Sequence, residues 1–404
     1  MTKDRIVLLD SLRGLGVLGI LLCNMPDFAV APPLSESVAN WPHGTGPATL
    51  GVWAVTQWLF QRKFVTLFAM LFGVSIFLVG GERSDAGRGA ILRKRLAWMV
   101  VFGLLHGFAI WFGDVLLSYA LAGFAVMLTR SWAPRKLIRT GVTIWVVFSL
   151  LMTAGMTAAI VFQHDGAQAT LETAKAVAKS RAAELQYGGT FLQSLIQNAK
   201  DRLGYLSGEP FIFVMTSALM MIGLGCFKLG VLTGEASKRT YVTLVAVGLT
   251  ASAAVGGLVV AQILLGLPRP LSMIFQAVQW MTAPLTTLAY VGLMVFAARS
   301  KGSWSAIPKA LASVGQMAFT NYLTQSLIMT SIFYGGRGLA LHGKVDRPVL
   351  AALTILTWTV QILWSRWWMD RYEMGPLEWV WRRLYRGPTR LRRAQPQAVS
   401  ALAK

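Results

Sequence analysis

Residues 241–265 read YVTLVAVGLTASAAVGGLVVAQILL, twenty-five positions without one charged side chain. At about 1.5 Å per residue, a helix of this length crosses a hydrocarbon core of roughly 30 Å. Lipid offers the backbone no hydrogen-bond partners, so a helix, which satisfies its own N–H and C=O groups, is the form such a stretch takes. Working outward, nine further apolar segments fall at 12–30, 64–80, 96–112, 115–129, 141–162, 210–232, 273–298, 310–334 and 348–369. The expected fold is therefore all-α: a polytopic integral membrane protein of about ten transmembrane helices in one bundle. Residues 48–61 (ATLGVWAVTQWLFQ) are apolar but too short for a comfortable crossing, and read as a re-entrant or interfacial segment.

Composition agrees. The 404 residues are 55% hydrophobic and 14% charged, against about a quarter charged in a soluble domain. The net charge of +21 is spread over many short loops, which argues against a nucleic-acid partner and for basic loops at an anionic leaflet. With the N-terminus inside, 27 of the 38 basic residues fall in cytoplasmic segments, the bias membrane proteins show. Counting 48–61 as a full span would invert everything after it. Both termini are thus expected in the cytoplasm. Residues 1–384 form one helical domain with an external loop at 163–209, and 385–404 form a basic, disordered cytoplasmic tail. Within the loop, LETAKAVAKSRAAELQ from Leu171 reads as an exposed or interfacial helix. Cys23 and Cys226 are too few for a disulfide framework, and no metal-ligand spacing is present, so no metal is expected. The basic start and apolar run at the N-terminus resemble a signal peptide, but Arg13 heads the run and no clean cleavage site follows, so it reads as a retained first span.

Polar and ionisable residues inside spans are costly, which makes them the candidates for function. In LLDSLRGLGVLGILLCN (8–24), Asp10 and Arg13 share a helical face, Asn24 lies three turns beyond Arg13, and Gly14, Gly16 and Gly19 admit a close neighbour. The bland alternative makes Asp10 a helix cap and Arg13 a snorkelling anchor. In GLLHGFAIWFGDVLLSY (103–119), His106 stands in an apolar span and Asp114 follows at a break. A continuous helix would separate the two by about 12 Å, so a direct bond requires the chain to turn back. His43, His164 and His342 lie in loops and read as solvated. In RKFVTLFAMLFG (62–73), Lys63 and Thr66 stand at the outer mouth of a span, either to meet a phosphate or carboxylate or as an interfacial anchor. Residues 320–326 (TNYLTQS) carry six hydroxyl or amide side chains in seven positions, among them Thr320, Asn321 and Gln325. Such a density favours a polar cavity over simple helix–helix bonding. In YEMGPLEWVWRRL (372–384), Glu378 and Arg382 are four apart on an amphipathic restart that reads as anchoring. No phosphate-binding loop, nucleophile elbow or zinc-protease motif is present.

Taken in order, LLDSLRGLGVLGILLCN, KFVTLFAMLFG, GLLHGFAIWFGDVLLSYALAG, GQMAFTNYLTQSLI and GPLEWVWRRL resemble the YeiB-type family of bacterial inner-membrane proteins, domain of unknown function 418. The resemblance runs from residue 8 to residue 384 and implies a bacterial inner-membrane location. The opening motif is also similar to the first span of heparan-glucosaminide N-acetyltransferase-like proteins. There a D-x-x-R-G motif precedes an Asn implicated in acetyl transfer; here the pattern falls on Asp10, Arg13, Gly14 and Asn24. The histidine that follows in those proteins has no counterpart, since position 35 is Ser35. This likeness implies a transmembrane acyltransferase that moves an acyl group from a cytoplasmic acyl-coenzyme A to a hydroxyl or amine acceptor. On that reading His106 is the base, Asn24 and Asp114 assist it, and Asp10, Arg13, Lys63, Thr66, Thr320, Asn321 and Gln325 bind the substrates. The expected partners are membrane lipids, the acyl donor, an acceptor and, as one option, a second copy of the chain. The alternatives are a transporter or exporter of a small solute or lipid intermediate, and a scaffold subunit.

Overall fold

The uncharged stretch at 241–265 lies almost wholly in one helix, α10 (Lys238–Leu264). Ser237 Oγ caps its N-terminus by accepting from Thr240 N, and Gly266, at φ +73°, follows its end in the left-handed conformation that terminates helices. The computed structural model describes residues 3–32, 34–35, 38–161, 166–267 and 269–392. Among these no β-strand occurs, only an isolated bridge between Tyr372 and Arg392.

The expected spans fall largely on helix, and among the described residues seven helical stretches are both long and apolar enough to cross a membrane. Three of the ten segments fall short for local reasons. Segment 96–112 is the apolar half of α4 (Ala86–Leu105), whose first half carries Arg88, Arg93, Lys94 and Arg95. It ends in a π-helical turn, His106–Ile110. Segment 115–129 is α5 (Leu116–Met127), only 12 residues long. Segment 310–334 breaks at Met317 into α12 (Ala306–Gln316) and α13 (Ala318–Phe333).

The remaining elements are α1 (Lys3–Ala29), α2 (Pro47–Val55), α3 (Lys63–Gly80), α6 (Pro134–Val161), α7 (Gly166–Tyr187), α8 (Phe191–Leu206), α9 (Glu209–Lys228), α11 (Arg269–Arg299), α14 (Arg347–Met369) and α15 (Pro376–Arg386). The 48–61 segment is α2 followed by a second π-helical turn, Thr56–Phe60. Arg62, at φ +68°, then redirects the chain into α3. The stretch from Leu171 lies in α7, which keeps Ser180 and Tyr187 fully buried. The second helix of that loop, α8, was not expected. At the C-terminus α15 runs to Arg386, and Glu373 N bonds Leu391 O. His164 and residues 393–404 of the expected tail lie outside the described residues.

Glycines set the central crossings. A Cβ on Gly14 would sit 2.0 Å from Leu311 O, and one on Gly315 1.8 Å from Asp10 O. Helices α1 and α12 therefore touch backbone to backbone, as small residues permit in lipid. Gly73 and Gly223 do the same for α3 and α9, where an added Cβ would come within 2.1 and 2.2 Å of carbonyl oxygens. Gly19 accommodates the ring of Phe64.

Candidate active site

His106 and Asp114 do meet. His106 Nδ1 lies 2.8 Å from Asp114 Oδ1, with the two side chains 1% and 0% exposed. The continuous-helix spacing fails because Trp111 N bonds His106 O in a π turn. Trp111 is then extended, at φ −150° and ψ 127°, and the chain doubles back. Asp114 next caps α5, its Oδ2 accepting from Leu117 N at 2.9 Å. Gly103 and Gly107 flank the histidine one turn apart. A Cβ on Gly103 would lie 2.5 Å from Leu117 N, and one on Gly107 2.8 Å from Arg202 Nε.

Ending α4 inside the bundle frees carbonyls that need donors. Asn198 Nδ2 serves Gly107 O and Phe108 O, and Arg337 serves Ala109 O and Ile110 O. Arg202 Nη1 serves Phe112 O and Asp114 O. The other arm of Arg202 reaches Glu209 Oε1 at 3.1 Å and stands 3.9 Å from Asp114 Oδ2. Ser118 Oγ donates to Glu209 Oε2. His106, Asp114, Arg202 and Glu209 thus form one buried cluster of ionisable side chains. His106 Nε2 is left buried with no partner. Tyr322 packs on the imidazole, ring centroids 5.2 Å apart, and its hydroxyl accepts from Val115 N at 3.4 Å.

Tyr322, Val115 and Leu116 also line the inner end of a cavity of about 350 Å³. Its mouth carries Asp10, Arg13, Arg95, Glu373, Glu378 and Arg382. Arg13 is hydrogen-bonded to Asp10. Asp10 lies a turn and more inside α1, which starts at Lys3, so it is not the helix cap that its position in the sequence suggests. Glu378 accepts from Phe319 N at 2.7 Å, Thr320 N at 3.1 Å and the Thr320 hydroxyl. It therefore caps α13 from another helix and compensates the N-terminal dipole at the break. Burial pushes its carboxyl above the usual range, while these donors pull the other way. Gly375 permits the contact, since a Cβ there would lie 2.1 Å from Glu378 Oε2.

The other predicted site residues sit elsewhere. Asn321 and Gln325 do not line this cavity. Asn321 Nδ2 donates to Val314 O, a carbonyl freed by the break, and to Ser365 Oγ. Gln325 Nε2 donates to Gln361 Oε1 and Val17 O, and Gln361 returns a bond to Asn321 O. Half of the polar run, Asn321, Thr324 and Gln325, is therefore helix–helix bonding, with Tyr322 facing the cavity and Thr320 held on Glu378. Lys63 is fully buried and donates to Gln57 O at 3.0 Å; Thr66 is buried on the same helix. Asn24 is half-buried, one turn before Phe28, which stacks on Trp111 at 4.1 Å. It belongs to the far side of the dyad from the cavity mouth. His43 is exposed. His342, read as solvated, is instead buried and stacked on Tyr187 at 4.6 Å.

Four residues missed in the sequence complete the arrangement: Arg95, Asn198, Arg202 and Glu209. A signal for α8 existed in the four-residue spacing of Ser194, Asn198 and Arg202, all buried on one face.

Comparison with known proteins bears on family. The family described as "Protein of unknown function (DUF418)" matches residues 226–388. The uncharacterized protein YeiB of Escherichia coli (strain K12) is 31% identical over 396 residues, covering 94% of this chain and 96% of YeiB. The uncharacterized protein YxaH of Bacillus subtilis (strain 168) is 28% identical over 397 residues, 95% and 94% of the two chains. No solved structure matches. Similarity of this extent, end to end with YeiB, establishes that the chain belongs to the YeiB-type DUF418 family.

Proposed function

We propose that this protein is a transmembrane acyltransferase of the bacterial inner membrane, with its arginine-lined mouth in the cytoplasm. The observation that carries the reading is the buried His106–Asp114 pair, its Nε2 unpartnered, set behind the inner end of a cavity whose mouth is rich in arginine. An aspartate on Nδ1 fixes the tautomer and leaves Nε2 as the proton acceptor. Nε2 would take the proton of an acceptor hydroxyl or amine as that group attacks the thioester carbonyl of an acyl-coenzyme A. The C–S bond then breaks, and the imidazolium returns its proton to the departing thiolate. Arg13, Arg95 and Arg382 would meet the donor phosphates. Asn24, on the opposite side of the dyad, would hold the acceptor.

The test is binding and turnover with acetyl- and palmitoyl-coenzyme A on protein purified in neutral-lipid nanodiscs. Binding should persist in His106→Ala while transfer to added acceptors is lost, and binding should weaken in Arg13→Ala. Absence of saturable binding of either donor overturns the reading. A second reading, transport of a small anionic solute, is favoured by the discontinuous α12–α13 and its buried cap, a feature of transporter substrate sites. Solute flux without transfer would support it.

A further inference from the structure

The cavity divides by polarity. Its polar wall groups sit at the arginine level, where Ser75 accepts from Arg95 Nη1 at 3.0 Å and Gln316 bonds Asp10. Below them the walls are Val17, Ile20, Leu71, Met99 and Leu116, with Tyr322 against the His106 ring. From Arg13 to Ile20 along α1 is seven residues, roughly 10 Å of depth.

The charges at the mouth are unequally committed. Of the carboxylates, Asp10 is bonded to Arg13 and Glu378 is engaged on the α13 N-terminus, while Glu373 stands exposed at the rim. Arg95 has no carboxylate partner among the described residues. Its charged neighbours are Arg13, Arg382 and Arg386, and its faces meet the rings of Phe72 and Trp381. A guanidinium has five N–H donors, and Ser75 takes one of them. Half-buried cations with spare donors gather where an anion is bound.

We infer that the cavity binds an anionic amphiphile, its phosphate on Arg95, Arg382 and Arg13 and its apolar chain along Val17, Ile20, Leu71, Met99 and Leu116. The apolar walls bury an alkyl chain at a gain proportional to area. The inference rests on the acyltransferase reading only in calling this amphiphile the donor; the binding stands without it. Phosphate and chain could come from a long-chain acyl-coenzyme A or from an anionic lipid.

The experiment uses the full chain in phosphatidylcholine nanodiscs and a dodecyl phosphate carrying a chain diazirine, with the matching dodecanol as the uncharged control. After irradiation, adducts are mapped by mass spectrometry. The phosphate probe should label segments 17–20, 71–79 and 99–116 at least tenfold more than the alcohol, and unlabelled dodecyl phosphate should compete. Arg95→Ala should reduce the signal tenfold or more. The exposed Arg382→Ala, which spares the core, should reduce it several-fold, and Met99→Trp should block it by filling the chain path. Stronger competition by palmitoyl-coenzyme A than by phosphatidic acid assigns the source to the thioester, and the reverse order assigns it to lipid. Equal labelling by the alcohol, labelling confined to lipid-facing helix surfaces, or indifference to Arg382→Ala and Met99→Trp together overturns the inference. Cavity labelling without any acyl transfer would sink the acyltransferase reading and leave this one standing.

Discussion

The described residues contain two π-helical turns, each followed by a break in the helix, and they differ in what closes them. At Thr56–Phe60 the freed carbonyls are met mainly by neutral side chains of α11. Gln279 donates to Gln57 O, Tyr290 to Leu59 O and Thr287 to Lys63 O. The one ammonium, Lys63, donates to Gln57 O. At His106–Ile110 the carbonyls are met by Asn198 and Arg337, while Arg202 serves Phe112 O and Asp114 O just beyond and joins Asp114 and Glu209 in one ionisable cluster with the histidine. Helices bulge in this way where function requires irregular backbone, but a bulge alone does not make a site. The first turn leaves no unpartnered ionisable atom among the described residues, and the second leaves His106 Nε2 together with the Nε atoms of Arg202 and Arg337. A buried, ionisable and unsatisfied atom beside a cavity separates chemistry from architecture.

The contrast can be broken by kinetics. His106→Gln should lower transfer by roughly 10²–10⁴-fold, the usual contribution of a general base, while Lys63→Met should stay within about threefold. Comparable losses in the two variants would erase the distinction. Stability sharpens it next. Arg202→Ala strands Asp114 and Glu209 in the interior and should cost about 3–5 kcal/mol. Gln279→Ala removes neutral hydrogen bonds and should cost on the order of 1 kcal/mol. Thermal unfolding in nanodiscs reads both, and a larger penalty at Gln279 would reverse the assignment.

The last contrast lies away from both turns and shows only at acid pH. Burial holds His342, in the loop between α13 and α14, neutral down to about pH 3, against 6.5 in the unfolded chain. A depressed folded pKa contributes stability above 6.5 that is lost as pH falls towards 3. His342→Phe should therefore flatten the acid limb of the stability profile in that window. An unchanged limb would show that the ring is solvated in solution.

Legibility in the sequence followed the range of the interactions. The polar run at Thr320–Ser326 was conspicuous, yet half of it, Asn321, Thr324 and Gln325, bonds helices α13, α14 and α1 together, because amides satisfy one another in lipid as readily as they bind substrate. Glu378 was visible as an acid on an amphipathic restart; that it caps a helix broken 61 positions earlier, at Met317, was not. Arg202 lay in a loop expected outside the membrane and is instead 1% exposed.

The sequence by itself determined that this chain is a bundle of membrane helices and which family it joins. Span length, low charge and the loop bias are local quantities, and a helix satisfies its backbone within itself. Only the tertiary structure decided that His106 and Asp114 pair, that Arg95 has no carboxylate partner among the described residues, and where the cavity runs. Those outcomes depend on where helices break, and the groups that answer a broken helix come from segments far away in the chain.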